Sequence, residues 1–400
     1  MSEKHLKINK QRDSGVDAGK QLCRAGIHER KKAFRELKLF VTYLSVVVLA
    51  GFSPLLLSCR AQESTPDPNF PDSSDTVTEK TKDPYRAFTD DSYWNTPIPP
   101  DAPLDPNSQA ILNFLKEDNA HDYIRFSGLG TDGAWGRPIF WGYASDPVYN
   151  VVEGCPPGVT PCSTGTVVPE MHSVHIPEKA ESDFNTSDAA MTVYDMVNGF
   201  VLGLHRAHKV NNIWYATGSS VHYLASNGLD RKWTQFSDTD PRNAHHRGCP
   251  ASMIGYRWDE YQAGAILHKL DLFVNTTKNI HVFPYIGDES GTSNPNAPPE
   301  GTLIRLKRSV NLDEVEPPLS PAARIVAQML QTYGVVIGDQ SGGAMNLKVE
   351  TTSVRTGGPQ VWTGVLSVNA LQGLKIDRDF EVIRMGYGCG SSDLCSPVEQ

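Results

Sequence analysis

Short runs of β-branched and aromatic residues, separated by Gly, Pro, Asn and Asp, dominate the chain from Pro84 onward. Such runs are typical of β-strands, because these side chains fit a pleated, half-buried surface. One turn between them, Val197-Asn198-Gly199, carries an Asn-Gly hairpin signal. The predicted strands are Arg137–Tyr143, Ala190–Tyr194, Gly199–Leu204, Asn212–Ala216, Ile280–Tyr285, Thr302–Leu306, Val335–Ile337 and Met345–Val349.

Helical periodicity is confined to three segments, Pro106–Lys116, Tyr256–Leu270 and Pro321–Tyr333. Ser320 followed by Pro321 is a favourable N-cap and first-turn pair. Many short strands and few helices predict a mainly β fold. The expected architecture is an antiparallel, jelly-roll-like β-sandwich with two or three packed helices.

An apolar run from Leu39 to Leu57 follows a basic stretch and ends in Leu56-Leu57-Ser58-Cys59. A basic region, an apolar region and a small residue at the cut are typical of a secretory signal. The last four residues resemble a bacterial lipobox, so we expect residues 1–58 to be a signal sequence and Cys59 to be lipidated. The alternative is an uncleaved transmembrane anchor, since about 20 apolar residues span a bilayer.

Charge is divided unevenly along the chain. Of its 37 basic and 46 acidic residues, 11 and 5 precede Cys59, which leaves the remainder strongly acidic. An acidic surface repels nucleic acid, so no nucleic-acid partner is expected. Residues 59–82 are rich in Pro, Ser, Thr, Asp and Glu, which predicts a disordered tether. Residues 83–400 are expected to form a single extracytoplasmic β-rich domain.

Cysteine spacing agrees with an oxidising compartment. Cys155 and Cys162 enclose a turn-rich loop, and Cys389 and Cys395 enclose another near the C-terminus, which predicts two local disulfides. Neither loop has the spacing of zinc ligands; independent thiols are the alternative. Cys249 is left over and is interpreted as a buried small hydrophobic residue.

Four segments from Thr192 onward form a recognisable set. They are Thr192-Val193-Tyr194-Asp195, Asp259–His268, Pro299–Leu306 and Gln331–Asp339. Together they resemble an uncharacterised group of secreted bacterial proteins. The resemblance implies a secreted globular domain and supplies candidate positions, but the group has no assigned reaction to transfer.

The candidate catalytic residues are Glu260 and His268 on one predicted helix, with Asp195 and Asp339 at strand ends. Eight positions at about 100° each place Glu260 and His268 about 80° apart around the helix. Glycoside cleavage needs one protonated and one ionised carboxyl group, so these residues indicate a glycan hydrolase. The competing interpretation is structural: Glu260 supports the helix start and His268 bonds to backbone.

Histidines recur at 172, 175, 205, 208, 245 and 246 without an established ligand motif, so neither a metal nor a cofactor is expected. A zinc or copper centre assembled from different pairs is the alternative. Alternatively, a neutral His and a nearby Tyr could act as base and acid in β-elimination from a uronic acid, with Arg206 or Arg247 neutralising the carboxylate of the sugar. Polar loop residues are the simpler interpretation. No Gly-x-Ser-x-Gly, His-Glu-x-x-His or nucleotide-binding motif is present in the sequence.

Aromatic residues suggest a glycan-binding surface, because sugar rings stack on Trp and Tyr. Trp135 and Trp141 lie in a Gly-rich segment, with Tyr143 beyond them. The predicted binding residues are Trp135, Trp141, Tyr143, His245, His246 and Arg247. The sequence thus favours a membrane-anchored lipoprotein of the cell envelope that cleaves a glycan, as hydrolase or lyase. The alternative is a carbohydrate-binding or structural envelope protein without catalysis.

Overall fold

Leu270, Leu272 and Val274 alternate along one strand and contribute to the apolar core on one face of the largest sheet. The intervening residues, Asp271 and Phe273, point to the opposite face, because strand side chains alternate. The computed structural model describes residues 83–154, 169–229 and 248–387, all within one compact unit.

Sixteen strands and five helices occur in these described ranges. The strands are β1 (Arg125–Ser127), β2 (Ile139–Gly142), β3 (Val148–Glu153), β4 (Val174–His175), β5 (Met191–Asp195), β6 (Phe200–His205), β7 (His208–Val210), β8 (Ile213–Ala216), β9 (Gly218–Tyr223), β10 (Leu270–Val274), β11 (Lys278–His281), β12 (Pro299–Glu300), β13 (Leu303–Leu306), β14 (Val335–Gln340), β15 (Asn346–Lys348) and β16 (Phe380–Val382). The helices are α1 (Ser108–Asp118), α2 (Trp258–Ala263), α3 (Pro321–Thr332), α4 (Thr352–Arg355) and α5 (Ile376–Asp379).

These strands form three main sheets and a small two-stranded one. Sheet I has six strands in the order β1-β15-β10-β14-β13-β16. Sheet II has the order β2-β5-β6-β9, and sheet III the order β4-β3-β8-β7. The small sheet pairs β11 with β12.

The mainly β prediction is confirmed, but the sheets are mixed rather than antiparallel. β10 pairs with β14, β2 with β5 and β3 with β8 in parallel. Open, mixed sheets of this kind do not confirm the jelly-roll sandwich. Parallel pairing needs long crossover connections, and the one from β10 to β14 runs through β11, β12, β13 and α3.

Three hydrophobic clusters hold these layers together. The first joins one face of sheet I to α1 and α3, through residues such as Leu115 and Val326. In the second, Phe273 and Val336 of sheet I pack with Tyr194 of sheet II. The third joins the other face of sheet II to sheet III. Sheet I and sheet II therefore face each other across the second cluster, where the polar residues described below also lie.

Two of the predicted helices have nearly the expected bounds, and the third is much shorter. Ser320 caps α3 by accepting a hydrogen bond from the Ala323 amide, as predicted. The predicted helix Tyr256–Leu270 is wrong beyond Ala263, since Gly264 ends α2 at a φ of 74°. Gly adopts this left-handed conformation without a Cβ clash, so it is a favourable helix terminator. His268 thus lies in the segment that leads into β10.

Several predictions concern residues outside the described ranges. They include the signal sequence, Cys59 and the tether, the proposed disulfides of Cys155 with Cys162 and of Cys389 with Cys395, and the binding residues His245, His246 and Arg247. Cys249 is described, and it is a buried free thiol. Within the described ranges, no helix combines the length and apolar character needed to cross a membrane.

Candidate functional site

Glu260 and His268 meet, although only Glu260 is helical. The Glu260 Oε1 atom lies 2.5 Å from His268 Nε2, and both side chains are at most 1% exposed. The other ring nitrogen, Nδ1, donates to the Lys269 carbonyl at 2.7 Å. Glu260 Oε2 accepts the Arg257 amide at 2.8 Å, as in a capping box at the start of α2.

Arg257 completes this ionic cluster, which we define as Arg257, Asp259, Glu260 and His268. Its guanidinium lies 3.2 Å from Glu260 and 2.9 Å from Asp259, and it also donates to the Tyr85 carbonyl at 2.5 Å. Burial lowers the pKa of Arg257, but the two carboxylates outweigh it and the net shift is upward. Such complete pairing favours the structural interpretation of Glu260 and His268.

Asp195 is a fully buried carboxylate at the end of β5, as expected of a strand-end residue. It accepts hydrogen bonds from the backbone amides of His175, Val197 and Asn198 at 2.8–3.0 Å. The Asn198 side chain donates to it at 2.7 Å. These bonds fix the turn between β5 and β6 and leave the carboxylate no access to a substrate.

The aromatic residues divide into a packed pair and exposed rings. Trp141 stacks on Tyr194 with ring centroids 4.1 Å apart. Trp135 and Tyr143 are 49% and 53% exposed. Trp141 is therefore largely engaged within the protein, whereas Trp135 and Tyr143 are open to solvent.

Asp339 differs from the other three candidates because it is only half-buried. Its carboxyl group shares a hydrogen bond with Glu289, also half-buried. Burial and this neighbouring carboxylate raise the pKa of Asp339 well above its usual range. Two adjacent carboxyl groups cannot both ionise readily, so this pair favours the state in which Asp339 keeps its proton. No sequence pattern pointed to Glu289, which reaches Asp339 from a separate loop.

Asp339 adjoins an inter-sheet cluster of buried charges, which we define as Arg137, Asp271 and Lys348. Burial raises the pKa of Asp271 to about 7 and lowers that of Arg137 to about 10. The pKa of Lys348 is lowered by burial and by Arg137. Such opposed shifts are typical of functional sites, although structural networks also produce them.

Asp271 is positioned by Tyr285, whose hydroxyl donates to Oδ1 at 2.7 Å. Gly338 makes room for this pair at a register irregularity, where Ile337 pairs with Leu272 and Asp339 with Phe273. A Cβ at Gly338 would overlap both Asp271 Oδ1 and the Tyr285 hydroxyl. The bulge thus creates the space for the Asp271–Tyr285 bond and also turns Asp339 toward the same face as Phe273.

We expect Gly338→Ala to lower the free energy of unfolding by about 1–3 kcal/mol, because the new methyl group overpacks the Asp271–Tyr285 pair. Urea unfolding followed by tryptophan fluorescence measures this change. Gly343→Ala is the matched control, since a Cβ there meets no atom within 4 Å. Equal stability of Gly338→Ala and the control would contradict the steric role.

Among the described residues, no group of three or more His, Cys, Asp or Glu side chains is arranged to hold a metal ion. His172 is exposed, whereas His175 is half-buried and lies 3.3 Å from Asp195 through Nδ1. The two belong to different environments.

Comparison of the chain with protein-family models, with curated proteins and with solved structures gives no match. The resemblance to a group of secreted bacterial proteins therefore stays a prediction. The chemistry of the candidate site rests on the geometry of Asp339, Glu289 and the inter-sheet cluster.

Proposed function

We propose that the chain is a membrane-anchored protein of the cell envelope whose folded part cleaves a glycan, with Asp339 as the general acid. The observation that carries this proposal is the half-buried Asp339–Glu289 carboxyl pair. A carboxylic acid that stays protonated at neutral pH can donate to a leaving glycosidic oxygen. Among the four candidate residues, Asp339 alone combines partial exposure with this raised pKa.

The membrane anchor in this proposal is a lipid on Cys59, and the ligand is a polysaccharide. The basic and apolar N-terminal pattern supports export. Exposed Trp135 and Tyr143 support binding of sugar rings at the surface. Glu289 supports the acid by stabilising the proton on Asp339 in the resting state.

A non-catalytic glycan-binding protein is the second candidate. It is favoured by the saturated bonding of Glu260, His268 and Asp195, which leaves these groups with structural roles. The exposed aromatic side chains would serve such a protein equally well.

We expect Asp339→Asn to lower kcat by about 10²–10⁴-fold with little change in glycan affinity, because the amide cannot deliver a proton. The full chain in detergent micelles is incubated with neutral and acidic polysaccharides, and new reducing ends and unsaturated uronides are measured. Asp91→Asn, at an exposed carboxylate, is the matched control.

An unchanged rate in Asp339→Asn would contradict its role as the acid. Reducing ends without unsaturated products would indicate a hydrolase, and both together a lyase. Binding without turnover in the unmodified protein would favour the second candidate.

A further inference from the structure

One face of sheet II carries polar side chains in a row, although it lies against sheet I. Thr192 pairs with Gly203, and Gly203 pairs with Ser220 across three neighbouring strands. Directly opposite residues share a face of the sheet, so Thr192 and Ser220 lie on one face on either side of a residue without a side chain. Gly203 places no side chain between them.

Arg137 lies over this row and is completely buried. Its Nε donates to Thr192 Oγ1 at 2.7 Å and its Nη2 to the Met191 carbonyl at 3.2 Å. Its Nη1 has no hydrogen-bond partner among the described residues. A buried guanidinium nitrogen without an acceptor is unfavourable, so this atom is available to an incoming anion.

Two buried hydroxyl groups accompany Arg137. Ser220 and Ser252 are at most 2% exposed, and neither Oγ has a hydrogen-bond partner in the described part of the chain. Ser252 belongs to a 3₁₀ turn that lies over the same face, since the Ala251 carbonyl accepts from Thr192 Oγ1 at 3.4 Å. Both hydroxyls can donate to a ligand at no loss of an existing bond.

Sheet I supplies a second cation from the opposite side. Lys348 is 8% exposed, and its Nζ lies 4.4 Å from the centroid of the Phe273 ring. The nearby carboxyl groups of Asp271 and Asp339 have raised pKa values and so neutralise these cations incompletely. Burial and Arg137 also lower the pKa of Lys348, and a bound anion would favour the charged form of this lysine.

The row reaches solvent beside His205 and Asp188. Their side chains are 31% and 40% exposed, and His205 Nε2 lies 3.9 Å from Asp188 Oδ1. Asp188 raises the pKa of both Arg137 and Lys348 against the effect of their burial, which places it near both cations. His205 and Asp188 thus mark the exposed rim of this row.

We propose that the space between sheets I and II binds the carboxylate of a uronic acid unit, held by Arg137 and Lys348 with Ser220 and Ser252 as hydroxyl donors. This inference rests on the proposed function and specifies its substrate class as an acidic glycan. A guanidinium and an ammonium recognise a carboxylate through charge-assisted bonds, whereas neutral sugars gain nothing from them.

The test measures binding of galacturonate and glucuronate oligomers to the full chain in detergent by calorimetry. Their methyl esters are the matched ligands, because esterification removes only the charge. We expect the acids to bind at least about tenfold more tightly than the esters. Equal affinity for acid and ester, or no binding of either, overturns the inference.

Two serine variants separate ligand binding from folding. Ser220→Ala and Ser252→Ala are each expected to weaken uronate binding about tenfold without lowering Tm, because neither hydroxyl has a partner to lose. Ser219→Ala is the control: it lies on the other face of β9 and donates to Glu153 at 2.7 Å. We expect this control to lower Tm and to leave affinity unchanged. Unchanged affinity in both Ser220→Ala and Ser252→Ala overturns the assignment of the site.

Failure of this inference is distinguishable from failure of the proposed function. In one outcome the protein cleaves neutral glycans, Asp339→Asn abolishes this activity, and uronate and its ester bind equally well. That outcome supports Asp339 as the general acid and rejects the uronate site. Uronate binding without turnover of any glycan retains the site and rejects catalysis.

Discussion

Glu260→Gln is expected to lower the free energy of unfolding by about 3–5 kcal/mol, because it leaves buried Arg257 and His268 facing a neutral group. Glu260 is fully buried and lies 3.2 Å from Arg257 and 2.5 Å from His268. The desolvation of these groups is offset only while the carboxylate is present. Urea unfolding of the full chain at pH 7 measures the loss.

Asp259→Asn is the matched control for that measurement. Asp259 binds the same guanidinium at 2.9 Å, but its side chain is 40% exposed. Solvent screening should limit its effect to about 1 kcal/mol or less. Similar losses of stability in both variants would show that burial does not determine the contribution of Glu260. A fall in kcat of the folded Glu260→Gln variant would make Glu260 a catalytic candidate again.

Asp271→Asn is expected to make the protein more stable than the unmodified chain above pH 7. Burial raises the pKa of Asp271 to about 7, so between pH 4 and 7 the folded state holds a proton that the unfolded state has released. The stabilising contribution of this proton is complete below the unfolded pKa and is lost as pH rises through the folded one. Since each pKa unit corresponds to about 1.36 kcal/mol, the free energy of unfolding falls by an amount on the order of 4 kcal/mol.

Paired urea titrations of both proteins from pH 4 to pH 8.5 isolate this effect. Near pH 4 the two proteins should be similar, since asparagine resembles the protonated acid in shape. The difference should then grow with pH and level off above 7. If the stability difference between the two proteins stays constant with pH, the pKa of Asp271 is not raised. If the difference decreases as pH rises, the pKa is shifted in the opposite direction.

Local signals predicted local structure well in this chain. Ser320 and Pro321 indicated the start of α3, and alternating β-branched residues indicated β5, β6 and β13. These features depend on neighbouring residues, so the sequence contains them directly. Strand direction is different, because β10 and β14 pair in parallel through contacts that no local pattern encodes.

Helical spacing predicted that Glu260 and His268 lie near each other on one helix. The two residues do meet, but the helix ends before His268, so helical spacing is not the cause. Gly264 reverses the chain after α2, and the two residues meet through that reversal. A glycine within an otherwise helical pattern was the available signal. A glycine at such a position can end the helix as well as allow tight packing.

The inter-sheet cluster escaped prediction because its members come from separate strands. Arg137, Asp271 and Lys348 each precede or interrupt an apolar strand, and each is buried. A charge at a strand position that should face a core was the one available signal, and its partners become known only from the tertiary fold. Glu289 gave no such signal because it lies in a loop.

The ionic cluster also bonds to the backbone at Tyr85, near the amino-terminal end of the described residues. Arg257 donates to the Tyr85 carbonyl at 2.5 Å, and the Tyr85 amide lies 3.4 Å from Asp259 Oδ2. A little further on, the Phe88 amide donates to the Leu224 carbonyl at 2.9 Å. If a lipid on Cys59 holds the protein to a membrane, a pulling force transmitted along the chain reaches Tyr85 and its bonds to the ionic cluster. The buried charges around Arg257 would then resist extraction of the chain around Tyr85 when the envelope is sheared.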